Sequence, residues 1–223
     1  VAWHQLGRQY FVLEMFIEAL TSFDYAVIID ESFIGGYLEK AKTLEALERY
    51  EEAIENYLIT LELDDPTAFV FVRIGECYEK LELPDTAIKY YKKAVHEDPL
   101  LDKGWLLLTN VYQQENDHQK ALYYINKALH IDESNSLYWR KYAEINLKLN
   151  LFEEAVKAFH KCIELKDVSI EIYIGLADVL LFLGDFKDAL KVLVKAKNTY
   201  KQFAEIEYRL CGLLMLSHKE QNS

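Results

Sequence analysis

Proline and glycine are scarce in this 223-residue chain, three and eight residues respectively, which argues against long loops and for regular elements joined by short turns. Cysteine chemistry is equally thin. Cys77, Cys162 and Cys211 are odd in number and far apart, and no CxxC occurs, so neither a dithiol redox motif nor a thiolate metal site is offered. Three isolated thiols suit a reducing compartment, and a cytoplasmic location is the expectation. Positive charge is missing too. The 25 Lys and Arg against 37 Asp and Glu leave a net charge of −12, without the cation excess that holds a phosphate backbone or an anionic membrane surface. No apolar run approaches the roughly 20 residues that a membrane-spanning helix needs. The chain opens Val1-Ala2-Trp3 with neither an initiator Met nor a signal peptide, which reads as a fragment that has lost its targeting information.

Recognisable catalytic motifs are absent as well. The six histidines include no pair at the i, i+3 or i+4 spacing of a helical metal site. There is no GxxxxGK[ST], no GxGxxG after a strand and no GxSxG. The expectation is a chain with no enzymatic activity, no metal and no cofactor.

What is present is a period. Ala19, Ala53, Ala87, Ala121, Ala155 and Ala189 stand 34 residues apart without one insertion or deletion, the mark of a stacked helix–turn–helix array. Sixteen residues before each alanine stands an aromatic: Trp3, Tyr37, Phe71, Trp105, Trp139 and Tyr173. Four residues later comes a small residue: Gly7, Ala41, Gly75, Thr109, Ala143 and Ala177. Seven residues after the alanine stand Ala26, Thr60, Ala94, Ala128, Cys162 and Ala196, again small. Small residues let two helix backbones approach, and the aromatic fills the space beside that contact. The carboxylate pairs Glu51-Glu52 and Glu153-Glu154 recur at one repeat position, which points to a solvated helix start and not to an acid/base pair. Asn116-Asp117, Gly184-Asp185 and Pro84-Asp85 supply helix stops and N-caps within rows, and Asp65-Pro66 and Asp98-Pro99 end helices between rows.

These columns resemble the tetratricopeptide repeat, W-x2-L-G-x2-Y, then A-x3-F, then P. Trp3-x2-Leu6-Gly7-x2-Tyr10 followed by Ala19-x3-Phe23 matches nearly in full, and the third row has Ile74-Gly75-x2-Tyr78, Ala87-x3-Tyr91 and Pro99. Lys40 and Tyr142 replace the expected Leu, Asn146 replaces the Tyr, and Pro66 falls one place late. The resemblance implies an all-α, right-handed superhelical solenoid of antiparallel helix pairs. Its repeats span about 1–33, 34–67, 68–101, 102–135, 136–169 and 170–203, and 204–223 holds the terminal helix of a partial seventh repeat and a polar tail. That last helix, about 204–218, is apolar on more than one face (Ile206, Leu210, Leu213, Leu214, Met215, Leu216), and its register is open between Leu210-Cys211-x2-Leu214 and Tyr208-x2-Cys211-Gly212. The opening helix is also apolar at Tyr10-Phe11-Val12-Leu13. Coverage of these ends by further repeats or by a homodimer is the expectation.

In the resembled family the first helices line a concave groove that holds a peptide or a partner helix. Three columns should face it, one turn apart. The first reads His4, Leu38, Val72, Leu106, Arg140 and Ile174; the second Arg8, Lys42, Glu76, Asn110, Glu144 and Asp178; the third Phe11, Glu45, Glu79, Gln113, Leu147 and Leu181. The first is an apolar stripe through the middle rows. The second runs from Arg8 and Lys42 to Glu144 and Asp178, a sign change that would fix the direction of a bound segment. The carboxylate clamp of chaperone-binding members does not fit, since Glu39 stands where a donor is needed. RNA binding fails on charge. The function expected is a non-catalytic protein–protein interaction module, adaptor or scaffold, binding a protein or peptide and neither nucleic acid nor membrane. The alternative is a regulatory or substrate-docking domain of a larger enzyme.

Overall fold

A computed structural model describes residues 2–200 except Pro66 and Val168, together with residues 204, 206 and 208–210. Twelve helices are described from end to end, residues 204, 206 and 208–210 are helical as well, and no strand occurs among the described residues. The chain divides into two compact units, Val1–Val111 and Tyr112–Ser223. The first holds α1 (Ala2–Val12), α2 (Phe16–Ile29), α3 (Ile34–Ala46), α4 (Tyr50–Leu63), α5 (Ala68–Lys80) and α6 (Pro84–Glu97). The unit boundary falls inside α7 (Asp102–Gln114). The second unit holds α8 (His118–Ile131), α9 (Ser136–Lys148), α10 (Phe152–Glu164), α11 (Ile170–Phe182) and α12 (Phe186–Thr199). In the first unit each helix from α1 to α6 packs on the next, and in the second the same holds from α8 to α12.

The alanine ladder is the seam of this packing. All six ladder alanines are fully buried, and the small columns at Gly7 and at Ala26 are buried in every row. Four residues past each ladder alanine comes a large side chain, Phe23, Tyr57, Tyr91, Ile125, Phe159 or Leu193, and all six are buried too. Ring and small residue meet closely: a methyl group placed on Gly75 would lie 2.4 Å from the Tyr91 ring, and one on Gly7 would lie 2.6 Å from Phe23. Both described cysteines are buried, and burial pushes the Cys77 thiol up to about 12 and the Cys162 thiol up to about 11. Neither is a thiolate near neutrality.

The turn inside each pair has one form. Glu14, Glu48, Glu82, Asn116 and Asn150 have φ between 58° and 60°, and Gly184 has φ 81°. The next residue's N–H then bonds back to the helix five residues earlier, as in Arg49 N to Leu44 O (2.9 Å) and Asp185 N to Leu180 O (2.8 Å). This closure satisfies carbonyls that the helix end would leave unpaired. Asp117 and Asp185 cap the following helices by accepting from Lys120 N (3.1 Å) and Asp188 N (3.3 Å). Pro84-Asp85 plays a different part from Asn116-Asp117 and Gly184-Asp185. Leu83 is the N-cap, Pro84 is the first helical residue and Asp85 lies in the first turn, because proline lacks only an N–H that is unpaired there anyway.

Between pairs, Asp30, Asp64, Asp98 and Asp132 are extended C-caps. The fifth row breaks this rhythm. Lys166 occupies the Asp column with φ 60°, and Asp167 N bonds to Cys162 O (3.0 Å). Two departures from the repeat pattern also find local partners. Lys40 reaches Asp24 at 2.8 Å, and the buried Asn146 donates to Tyr142 O at 2.7 Å. Of the closing segment, Ile206 and Leu210 are buried in the core of the second unit. Pro66, Cys211, Gly212, Leu213, Leu214, Met215 and Leu216 lie outside the described residues, as does the polar tail.

Candidate functional site

The first unit contains a cleft of about 460 Å³ lined by Lys42, Ala68, Phe69, Val72, Arg73, Asp98, Leu101 and Lys103. Three successive elements of first-helix type, α3, α5 and α7, supply its cationic side chains, and the end of α6 supplies Asp98. Thr67 starts α5 by accepting from Val70 N (3.4 Å). The first turn of that helix then presents Ala68 and Phe69, with Val72 and Arg73 one turn on. Asp98 ends α6 and accepts from Leu100 N (3.0 Å), folding the chain so that Leu101 and Lys103 close the far side. Ala68, Val72 and Leu101 form an apolar floor, and Val72 is only 3% exposed. Phe69 is 49% exposed, with Lys42 Nζ 5.8 Å from its ring centroid.

The rim is a chain of opposite charges. Lys42 Nζ lies 3.1 Å from Glu39, Arg73 Nη1 lies 2.6 Å from Glu76, and Lys103 Nζ lies 2.8 Å from the other oxygen of Glu76. Arg73 also donates to Glu45 through Nε at 3.1 Å and through Nη2. Burial alone would lower Arg73, but Tyr57, Glu45 and Glu76 outweigh it and hold the guanidinium protonated. Burial raises the Glu45 carboxyl above the ordinary carboxylate range, against the opposing pull of the Tyr57 hydroxyl and Arg73. The Tyr57 phenol is raised first by burial and then by its hydrogen bond to Glu45. Such a half-buried, fully paired network fixes geometry more than it adds stability.

The expected groove columns are distributed as follows. Lys42 and Val72 share the cleft, and Glu76 binds the two cations on its rim. Leu38 packs half-buried against the core of α3–α5. Leu106 and Asn110 are half-buried on α7, and Arg8 is exposed on α1. In the second unit Arg140 pairs with Asp167 at 3.1 Å, Glu144 lies 3.6 Å from Lys141, Asp178 pairs with Arg209, and Ile174 is half-buried. Lys42, Glu76, Arg140, Glu144 and Asp178 thus each carry an opposite charge beside them, so these columns present ion pairs and not a bare gradient.

The third column differs from its expected orientation at two positions. Glu45 and Glu79 accept hydrogen bonds from the buried Tyr57 and Tyr91 hydroxyls, the second at 2.7 Å. The signal was in the sequence. Only the second and third rows have Tyr four residues after the ladder alanine, and only they have Glu in the third column. The contributions of Phe69 and Lys103 carried no such signal, because neither falls in one of the three expected groove columns.

The second unit has a cleft of about 500 Å³, lined among others by His130, Trp139, Tyr142 and Lys157. It contains none of the predicted groove residues. Trp139 Nε1 donates to Glu133 O at 2.8 Å, as Trp105 Nε1 donates to Pro99 O at 2.9 Å one row earlier, so these tryptophans tie down the turns between rows. Among the described residues no group of three or more His, Cys, Asp or Glu is arranged to hold a metal ion. No helix among them is long and apolar enough to cross a membrane.

Comparison with known proteins places this architecture. Residues 89–219 match the family model described as the PRP39 N-terminal HAT repeat, over more than half of the chain, and residues 38–102 match that of the tetratricopeptide repeat. No curated protein matches the sequence. A tetratricopeptide repeat protein from Parabacteroides merdae superposes with a TM-score of 0.70 at 16% identity, covering 99% of this chain and 87% of that one. A MamA fragment from Desulfovibrio magneticus RS-1 gives 0.66 at 18% identity over 74% and 93%. YrrB, described as a TPR protein with an unusual peptide-binding site, gives 0.60 at 18% over 74% and 85%. With its buried 34-residue ladder, its paired helices and these matches, the chain belongs to the tetratricopeptide-repeat family of helical-repeat proteins.

Proposed function

We propose that this chain is a non-catalytic interaction module, an adaptor or scaffold, and that its first unit holds an extended segment of a partner protein in the α3–α5–α7 cleft. One observation carries the reading: an apolar floor, an exposed Phe69 and three cations meet in a single concavity. Ligand clefts combine an apolar lining with a few placed polar groups in this way. An apolar side chain would rest on Ala68, Val72 and Leu101 beside the Phe69 ring. A main-chain carbonyl would accept from Lys42 or Lys103, whose ammonium groups are already neutralised by Glu39 and Glu76. YrrB, a structural neighbour described as having an unusual peptide-binding site, supports the assignment. Leu106 and Asn110 would extend the contact along α7, Leu38 and Arg8 along α3 and α1, and Arg140, Glu144, Ile174 and Asp178 would serve the corresponding faces of α9 and α11.

Selection of a random peptide library on the full chain tests this. Selected peptides should bind Lys42→Glu/Phe69→Ala at least about tenfold more weakly, a loss of about 1.4 kcal/mol, while that variant keeps the wild-type circular dichroism. Peptides that bind the folded variant with unchanged affinity would place the binding surface elsewhere.

A further inference from the structure

The six rows act as internal controls for one another, and the first departs from the rest on the outer face of its second helix. Ile17 stands in a column that reads Glu51, Asp85, Gln119, Glu153 and Lys187 elsewhere. Ile28 stands in one that reads Glu62, His96, His130, Glu164 and Asn198. Tyr25 falls in a column that is lysine in the last four rows. In the Ile17 and Ile28 columns every other row has a charged or polar residue, and the first row alone has isoleucine. Ile17 is 62% exposed, and Ile28 and its neighbour Ile29 are each 70% exposed. Helical spacing puts Ile17, Thr21, Tyr25 and Ile28 on one side of α2, opposite the buried Ala19, Phe23 and Ala26. Trp3 continues the patch from α1, its ring centroid 4.7 Å from that of Tyr25. A helix that is apolar on both sides is a helix covered on both sides.

We propose that this face is an isologous dimer interface, with α2 of one copy lying antiparallel on α2 of a second copy about a two-fold axis. The stripe is self-complementary in that orientation. Ile17 falls against Ile28 of the partner subunit, and the small Thr21 falls against the large Tyr25 of the partner subunit. A two-fold contact needs this reciprocity. The area is also adequate. Counting about 200 Å² for a large side chain, the exposed fractions of Trp3, Leu6, Ile17, Tyr25, Ile28 and Ile29 sum to roughly 650 Å² per copy, before any polar rim, against the ~800 Å² per partner of a standard interface. Asp24 borders the stripe and enters already paired with Lys40 at 2.8 Å. The rim itself is acidic: Glu14, Glu18, Asp30 and Glu31 outnumber Arg8 in the first row. Two such rims repel, so association should tighten as salt rises, the reverse of a charge-driven contact with a basic helix.

Sedimentation equilibrium on the full chain tests the proposal. Wild type should be a dimer at micromolar concentration and become tighter between about 0.05 and 0.5 M salt. Ile17→Glu/Ile28→Glu, which writes the residues of the second row into the first, should weaken dimerisation by about 100-fold or more with unchanged helix content. Ile17→Glu/Ile28→Lys should recover at least about tenfold of that loss, because only an antiparallel α2 pair sets each Glu against a Lys. A wild-type monomer at hundreds of micromolar, or a Glu/Glu variant that still dimerises, would overturn the interface. A Glu/Lys variant no tighter than Glu/Glu would overturn the antiparallel register.

Discussion

Replacing Gly75 by alanine sets two effects of similar size against each other. In the middle of α5, alanine is favoured over glycine by about 1 kcal/mol of helix propensity. Against this, the new methyl would lie 2.4, 2.6 and 3.1 Å from three atoms of the Tyr91 ring. Contacts that short force movement, and overpacking of a filled core costs about 1–3 kcal/mol. Tyr91 cannot simply turn aside, since it is fully buried and its hydroxyl is held by Glu79 at 2.7 Å. The packing term should therefore prevail, leaving a net destabilisation of about 1 kcal/mol, or roughly 2–4 °C in Tm for a chain of this size. Gly104 is the milder comparison, because a methyl there makes one short contact, with a Val95 methyl at 2.7 Å, and ordinary contacts with Leu101 at 3.5 and 3.7 Å. Gly104→Ala should cost less than Gly75→Ala. Combining Gly75→Ala with Tyr91→Leu recreates the Ala177–Leu193 pair of the sixth row, so the double variant should lose less than the two single losses added. Urea and thermal unfolding of the four variants decide the matter. A more stable Gly75→Ala would show that the seam is looser than these distances require and refute the reasoning.

Two further outcomes follow from the turns and the ion network. Glu82 holds φ at 59°, a conformation that costs a non-glycine residue about 1–2 kcal/mol, partly offset by the chain entropy glycine loses, so Glu82→Gly should gain about 0.5–1 kcal/mol. Asn116→Gly, where the residue already tolerates the left-handed region, should gain less in the same urea titration. Glu45 titrates above the ordinary carboxylate range because of burial, so the folded state holds its proton more tightly than the unfolded chain does. Its contribution to stability then falls as pH rises from about 4.5 through the folded value. Glu45→Gln removes that slope while keeping an acceptor for Tyr57. The variant should gain on wild type as pH is raised from about 4 to about 7, and a difference independent of pH would contradict the assigned shift.

The period of 34 determined most of the fold without help from tertiary contacts. One small residue per row can lie at a helix seam only if every row has the same length, so the alanine ladder set the helix pairs and which residues are buried. All eighteen residues of the ladder and the two small columns are buried, as the spacing requires. The left-handed turns were half legible: Asn116, Asn150 and Gly184 announce them, whereas Glu14, Glu48 and Glu82 do not, because context and not propensity holds those three. The groove columns were legible as positions on first helices, since helical geometry alone sets that spacing. What each side chain meets was decided only in three dimensions. Glu45 and Glu79 swing to phenols that arrive from the next helix, and Arg140 finds Asp167 because the fifth row's turn is shifted by one residue. Phe69, Leu101 and Lys103 meet Lys42 only when three helices and a turn close around one cavity. A repeat fixes what recurs, and the cleft and the outer face of α2 arise from residues that do not recur.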